Sequence, residues 1–344
     1  MRALSDIAPA EQAADIVPPP EKPPEKPIEK TAEPPRPEPR VRRLNIIGRR
    51  NIFFAISLLI IIPGIFSMAT KGFLLGIDFA GGTEFTVNFS NHPSVATVEN
   101  AVAADPLTAG GTVIQTGGGG GYIIRSLPLT PQQQALVEDN LTKRVGTMVV
   151  QQVIEVGGTI ARETIEFALL ALVLASAAIL FLLAIRFRNV PGGWRAGFQF
   201  GGSALAALLH DVFLLTGLFS IMGKGLGWRI GEIDSLFVTA VLTVVGFSVH
   251  DTIVVFDRIR ENLRVSQRLS FEQVVNISIM QTAARSIITS FTVVLVLAAI
   301  LIAGGTTLKG FALALLIGIV SGTYSSIFNA SPLLVVWRRV QPLR

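Results

Sequence analysis

Residues Ser235 to Arg264 read SLFVTAVLTVVGFSVHDTIVVFDRIRENLR. The first twenty-two of them are apolar enough to cross a bilayer, which takes about 20 residues in a helix. Yet His250 and Asp251 stand inside the apolar part, and the charged run that opens with Asp257-Arg258 begins only six residues after Asp251. At helical rise this places Asp251 about 9 Å below the polar boundary. An ionised carboxylate at such depth costs about 3 kcal/mol on insertion scales. It has two remedies: taking up a proton, or pairing with a cation. A group that moves between those situations binds a proton in one and releases it in the other. That is the elementary part of a proton-driven device, since each charge crossing gains about 2.3 kcal/mol per 100 mV.

Outward from this stretch, the chain repeats the pattern. Half of its 344 residues are hydrophobic and 15% are charged, an apolar excess that points to several membrane spans. The other apolar runs are Ile52 to Met68, interrupted at Pro63-Gly64, then Ile165 to Ile185, Ala196 to Met222, Ile287 to Ile302 and Phe311 to Trp337. The Ile287 run is short unless Arg285 and Ser286 join its helix. One set of loops and ends collects sixteen arginines: 40, 42, 43, 49, 50, 186, 188, 195, 258, 260, 264, 268, 285, 338, 339 and 344. The short loops of the other set hold Lys224, Arg229 and Lys309. Six spans with both termini in the cytoplasm satisfy this bias. The net charge of +5 flanks the apolar segments instead of forming a groove-sized patch, so no nucleic-acid partner is expected. With no cysteine and three scattered histidines, His92, His210 and His250, neither a disulfide nor a metal site is expected.

The expected fold is a polytopic α-helical membrane protein with six transmembrane helices, plus an extracytoplasmic α+β ferredoxin-like domain between helices 1 and 2. Residues 1–44 form a Pro-rich cytoplasmic tail whose composition cannot bury a core. Residues 45–69 hold the first helix, 70–163 the outer domain, 164–338 the five remaining helices with a cytoplasmic loop at 257–285, and 339–344 a second tail. In the outer domain Thr83 to Phe89 alternates like a strand, and Val95 to Ala104 reads as a helix. Gly111 to Gln115 and Tyr122 to Ser126 form a hairpin about Gly117–Gly121. Thr130-Pro131 opens a second helix with Ala135, Leu136 and Leu141 on one side, and Val149 to Val156 is a last strand. The order β-α-β-β-α-β is that of a ferredoxin-like sandwich. In the 257–285 loop, Ser270 with Gln273 makes a capping box that starts a helix toward the fifth span.

Three further features bear on function. LLHDVFLL puts His210 and Asp211 near the middle of the third span, where they form either a structural pair or kink cap, or a working group. Arg285 sits at the mouth of the fifth span, as a snorkelling residue or as a charge partner. Ser248, His250 and Asp251 contain the residue types of a protease triad. On one helix, however, Ser248 and Asp251 share a face while His250 points about 100° away, so the relayed line cannot form. Gly318 with Gly322, and Gly201-Gly202-Ser203 with Ala206, are small-residue patterns suited to close helix contact.

Two stretches carry a resemblance. GIDFAGGTEF, from Gly76 to Phe85, resembles the G-[IL]-D-F-x-G-G-T signature that follows the first span in the SecD/SecF family of translocase subunits. GFSVHDTIVVFDRIREN, from Gly246 to Asn262, resembles the fourth-span signature of the SecF branch, and AALLHDV in the third span agrees. A SecD chain would carry a much larger outer region. The resemblance spans residues 45 to 338 and implies a bacterial inner-membrane subunit. Such a subunit pairs with SecD, joins the SecYEG channel, and uses the proton-motive force to promote late export of preproteins. Its membrane part resembles half of a resistance-nodulation-division transporter. The resemblance further implies that Asp251 and Arg285 are linked to proton passage, with Arg285 as the charge partner. Where the family has Asn, this chain has His250, which can titrate. Asp211 and His210 complete the expected proton pathway. Gly76, Asp78, Gly81 and Gly82 are expected at a joint between the first span and the first strand, or in a tight turn only. Lipid surrounds the spans; no cofactor and no enzymatic reaction are expected. Two alternatives stay open: a proton-coupled small-molecule exporter half, which needs a porter region of several subdomains, and a non-transporting scaffold, which tolerates neutral residues at 251 and 285.

Overall fold

A computed structural model describes residues 44–115, 121–265 and 268–342. Apart from Leu44 and Gly121, the Pro-rich tail and the hairpin turn fall outside them. Helix α1 (Arg50–Thr70) runs unbroken through Pro63, where the sequence marks an interruption. Membrane helices tolerate proline when their neighbours re-satisfy the freed backbone. A single turn, α2 (Ile77–Ala80), then leads into β1 (Gly82–Phe89), α3 (Val95–Ala103), β2 (Thr112–Gln115), β3 (Gly121–Ser126), α4 (Pro131–Val145) and β4 (Met148–Val156). The sheet order is β2-β3-β1-β4, antiparallel throughout, which is the expected sandwich.

Local chemistry sets these elements. Ser94 caps α3 by accepting from the Thr97 N–H at 3.2 Å. Thr130 and Gln133 form a reciprocal capping box ahead of α4, with Pro131 in the first turn, where its missing N–H costs nothing. The alternating residues Phe85, Val87 and Phe89 of β1, with Tyr122 and Ile124 of β3, bury one sheet face against Val98 and Val102 of α3. In α4 the buried stripe is Val137, Leu141 and Val145, while Ala135 and Leu136 are exposed. This corrects the expected face by one residue. Positions four apart stack in line, and a neighbour lies about 100° around the helix.

Helix α5 (Gly158–Arg186) starts straight after β4 and well before its apolar run. It is followed by α6 (Gly193–Ser220), α7 (Ser235–Val265), α8 (Phe271–Ala303), α9 (Thr306–Ser325) and α10 (Ser331–Val340). The Ser270–Gln273 capping box starts α8, a single helix of 33 residues. It absorbs Arg285 and Ser286, as the short apolar run requires. A π-turn at Ser326–Ala330 joins α9 to α10 within the last span. Among the described residues, six helical stretches are long and apolar enough to cross a membrane. Of these, α6, α7 and the α9–α10 stretch bury half or more of their apolar window, whereas α1, α5 and α8 bury less than a fifth. The first group is therefore the centre of the bundle. Small residues bring the helices together there. A Cβ on Gly64 of α1 would stand 2.9 Å from Gly217 Cα of α6, and one on Gly322 of α9 would stand 3.0 Å from Ser248 Cβ of α7.

Candidate functional site

Asp211 of α6 is 1% exposed, in the middle of the three central spans. Hydroxyls from two other helices converge on it. Ser248 of α7 donates to Oδ2 at 2.7 Å, Ser325 of α9 to Oδ2 at 2.6 Å, and Ser321 of α9 to Oδ1 at 2.7 Å. The neighbouring His210 Nδ1 lies 3.0 Å from Oδ1. His210 also faces the Tyr324 ring, with centroids 6.3 Å apart, and its Nε2 is buried without a partner. Ser321 and Ser325 reach one carboxylate because they are four apart on one face of α9. The closeness that Gly318 and Gly322 allow, against Val244 and Ser248, brings that face within hydroxyl reach of α6 and α7.

Asp251 of α7 is 8% exposed, and its surroundings differ. Ser286 of α8 donates to Oδ1, while Oδ2 is buried with no partner among the described residues. Beside Ser248, one turn before Asp251, two more hydroxyls gather on the Ser248 main-chain carbonyl. Thr252 donates to the Ser248 carbonyl at 3.0 Å and meets the Ser326 hydroxyl at 2.8 Å. Ser326 also donates to the Ser248 carbonyl at 3.2 Å.

Arg285 does not pair with Asp251. It is exposed, adjacent to the Ser286 that does bond the carboxylate, and it lines a cleft of about 460 Å³. The cleft is bordered by Val254, Asp257, Arg258, Arg260, Glu261, Arg264 and Thr282. Val254 lies three residues after Asp251 and Thr282 four before Ser286, so the cleft ends about one helical turn from the buried carboxylate. Its walls are tied by Arg186 donating to Asp257 at 2.8 Å and by Arg258 donating to Gln281 and Glu261, each at 2.6 Å. His250 projects from the exposed face of α7. The structure thus gathers His210 with Asp211, sets Asp251 a turn away, and leaves Arg285 and His250 outside the buried cluster. Sequence reasoning missed Ser286, Ser321 and Ser325. The legible signal was small hydroxyl residues three or four apart inside apolar spans.

The glycine motif lies at the other end of α7. Gly81 and Gly82 adopt φ of 72° and 139°, a backbone open mainly to glycine, and a Cβ on Gly82 would run into the Ser126 carbonyl of β3. Gly76 N–H donates to the Ile233 carbonyl at 2.8 Å, and Asp78 accepts from Ser235. Beside them, Arg125 of β3 bonds both Glu84 of β1 and Glu232 of the loop before α7. Burial pushes the Glu232 carboxyl above its ordinary value, against the pull of Arg125, and burial raises Asp234 too.

Residues 137–340 match the family described as protein export membrane protein SecD/SecF, C-terminal, and residues 66–91 match the SecD/SecF GG motif. The chain belongs to the SecD/SecF family of protein export membrane proteins. Among its relatives, the protein translocase subunit SecF of Thermobaculum terrenum is 45% identical over 314 residues, covering 88% of this chain and 96% of that one. The SecF subunit of Anaerolinea thermophila is 42% identical over 296 residues, covering 86% and 94%. The crystal structure of SecDF, a translocon-associated membrane protein from Thermus thermophilus, matches with a TM-score of 0.74 at 31% identity. The match covers 86% of this chain, which spans 39% of the length of that SecDF chain.

Proposed function

We propose that the chain works as the SecF subunit of a bacterial Sec translocase, paired with SecD at a SecYEG channel, and uses the proton-motive force to promote preprotein export across the inner membrane. It is a transport subunit and not an enzyme. The arginine-rich face and both termini lie in the cytoplasm, and the α/β domain lies in the periplasm. Asp251 is the exchanging group. The observation that carries this reading is its Oδ2, buried with no donor and about one turn from the arginine-lined cleft. A carboxylate so placed can take a proton without breaking a bond at that oxygen. The cleft supplies water from one side; on the other, the Ser248 hydroxyl, one turn before Asp251, donates to Asp211, which His210 adjoins. Arg285 acts from the mouth of the cleft, where its charge favours the ionised carboxylate, and His250 acts from the exposed face of α7.

The test is export in inverted membrane vesicles carrying Asp251→Asn, with and without an imposed proton gradient. The gradient-dependent part of export is expected to fall at least about ten-fold, with the chain still present in the membrane. A full response to the gradient in that variant would refute the proton role.

A further inference from the structure

We propose that Asp78 is a positioning residue: it clamps the start of α7 to the α/β domain, so that movement of the domain is delivered to the helix carrying Ser248 and Asp251. The inference rests on the proton-exchange reading above. Asp78 Oδ2 accepts from Ser235 N at 2.9 Å and from Ser235 Oγ at 2.6 Å, across a separation of 157 residues. Ser235 opens α7, and a first-turn N–H has no partner within its own helix. A carboxylate there also meets the positive end of the helix dipole. Asp234 already serves as the ordinary cap, its Oδ1 accepting from Phe237 N at 2.8 Å. Asp78 is thus a second cap, supplied by a distant segment.

Two further ties of different chemistry hold the same place. Ile233 N donates to the Leu74 carbonyl and Gly76 N to the Ile233 carbonyl, each at 2.8 Å, and Leu75 and Ile233 pair as parallel strands. A Cβ on Gly76 would stand 2.8 Å from Glu232 Oε1 and 3.0 Å from Asp234 Cβ, so a larger residue would displace the Glu232 side chain that meets Arg125. Arg125 then joins the loop, through Glu232, to the sheet. The peptide links into the domain pass through glycines. One passes Gly72, at φ 72°, and the other passes Gly157 and Gly158; a Cβ on any of the three would meet nothing within 4 Å. From the strap, α7 continues without proline to Val265. Ser248 and Asp251 lie about 20 and 24 Å along it, and their partners sit on α6 and α8. A displacement of α7 by about 1 Å along the Ser248–Asp211 direction would take that 2.7 Å bond beyond hydrogen-bond length.

The chain has no cysteine, so Leu75→Cys with Ile233→Cys introduces a single thiol pair. Paired strands stand about 4.8 Å apart, within disulfide reach. In vesicles holding the partner subunits, Asp78→Ala is expected to lower gradient-dependent export about ten-fold, the equivalent of one charged hydrogen bond. Asp78→Asn, which keeps an accepting oxygen, should retain most of it. Oxidising the thiol pair on the Asp78→Ala background should restore export, and reduction should remove it again. Full export by Asp78→Ala, or no rescue by the oxidised pair, overturns the proposal. So does arrest of export when the pair is oxidised with Asp78 intact, an arm that does not depend on how Asp78→Ala folds. If Asp251→Asn abolishes export and Asp78→Ala does not, the strap alone fails. If Asp251→Asn exports normally, the proton reading beneath it fails.

Discussion

Asp211 and Asp251 lie in adjoining regions of one bundle, and the chain treats them in opposite ways. Around Asp211, α6, α7 and α9 converge, three serine hydroxyls donate, and both oxygens are occupied. Around Asp251, α8 contributes one hydroxyl and the second oxygen is bare. The first arrangement fixes a carboxylate as a hub that holds helices together, since each hydroxyl needs an acceptor in a medium without water. The second leaves a carboxylate free to change state at small structural cost. On the proton-exchange reading, what sets Asp251 apart is not its burial but its incomplete satisfaction beside the cleft.

The comparison can be broken by removing each carboxylate in turn. Asp211→Leu orphans the Ser248 and Ser321 hydroxyls and leaves Ser325 only the Gly322 carbonyl; it is expected to cost about 2–4 kcal/mol of stability, read as a lower unfolding temperature in detergent. Asp251→Asn should stay within about 1 kcal/mol of the unsubstituted chain by the same measurement. Equal losses would mean that both sites are structural. A milder test sharpens the contrast. Ser286→Ala removes the single donor to Asp251 and is expected to lower stability by about 1 kcal/mol, while gradient-dependent export falls several-fold. Ser321→Ala should cost similar stability but leave more of the gradient response, because Ser248 and Ser325 still hold Asp211.

The smallest effect concerns Asp234, a half-buried carboxylate outside the spans. Burial raises it above the ordinary aspartate value of 3.8, the Phe237 N–H opposes, and the charge of Asp78 adds to the rise. A carboxylate raised in the folded state contributes stability that is fully present below its unfolded value and is lost as pH rises through its folded value. Asn at this position keeps the cap and does not titrate. Asp234→Asn should therefore match the unsubstituted chain below about pH 3.8 and exceed it at neutral pH, by less than about 1 kcal/mol. A difference that shrinks with rising pH would reverse the assignment.

Much of this architecture was legible from local pattern. Six apolar runs, the Thr130–Gln133 and Ser270–Gln273 boxes and the strand order are short-range features, and they stand where the pattern puts them. The family motifs around Gly76 and Asp251 were legible as well. The site was legible only in part, and the contacts that stayed hidden share a cause. Arg285 was the charged candidate in α8, but its neighbour Ser286 faces Asp251. Leu136 was the larger apolar candidate in α4, but its neighbour Val137 faces the core. One residue is about 100° on a helix, and only tertiary contact decides which of two neighbours turns inward. Ser321 and Ser325 were hidden for a related reason. They are unremarkable in sequence, and become donors because Gly318 and Gly322 let α9 approach α7 closely.

The most direct test of Asp251 as the exchanging group is infrared difference spectroscopy of the reconstituted chain between two pH values. It follows the carbonyl stretch of protonated carboxyl groups. A band that titrates in the unsubstituted protein should vanish in Asp251→Asn and persist in Glu232→Gln, which removes a half-buried carboxylate outside the spans. A titrating band unchanged by Asp251→Asn would contradict the account.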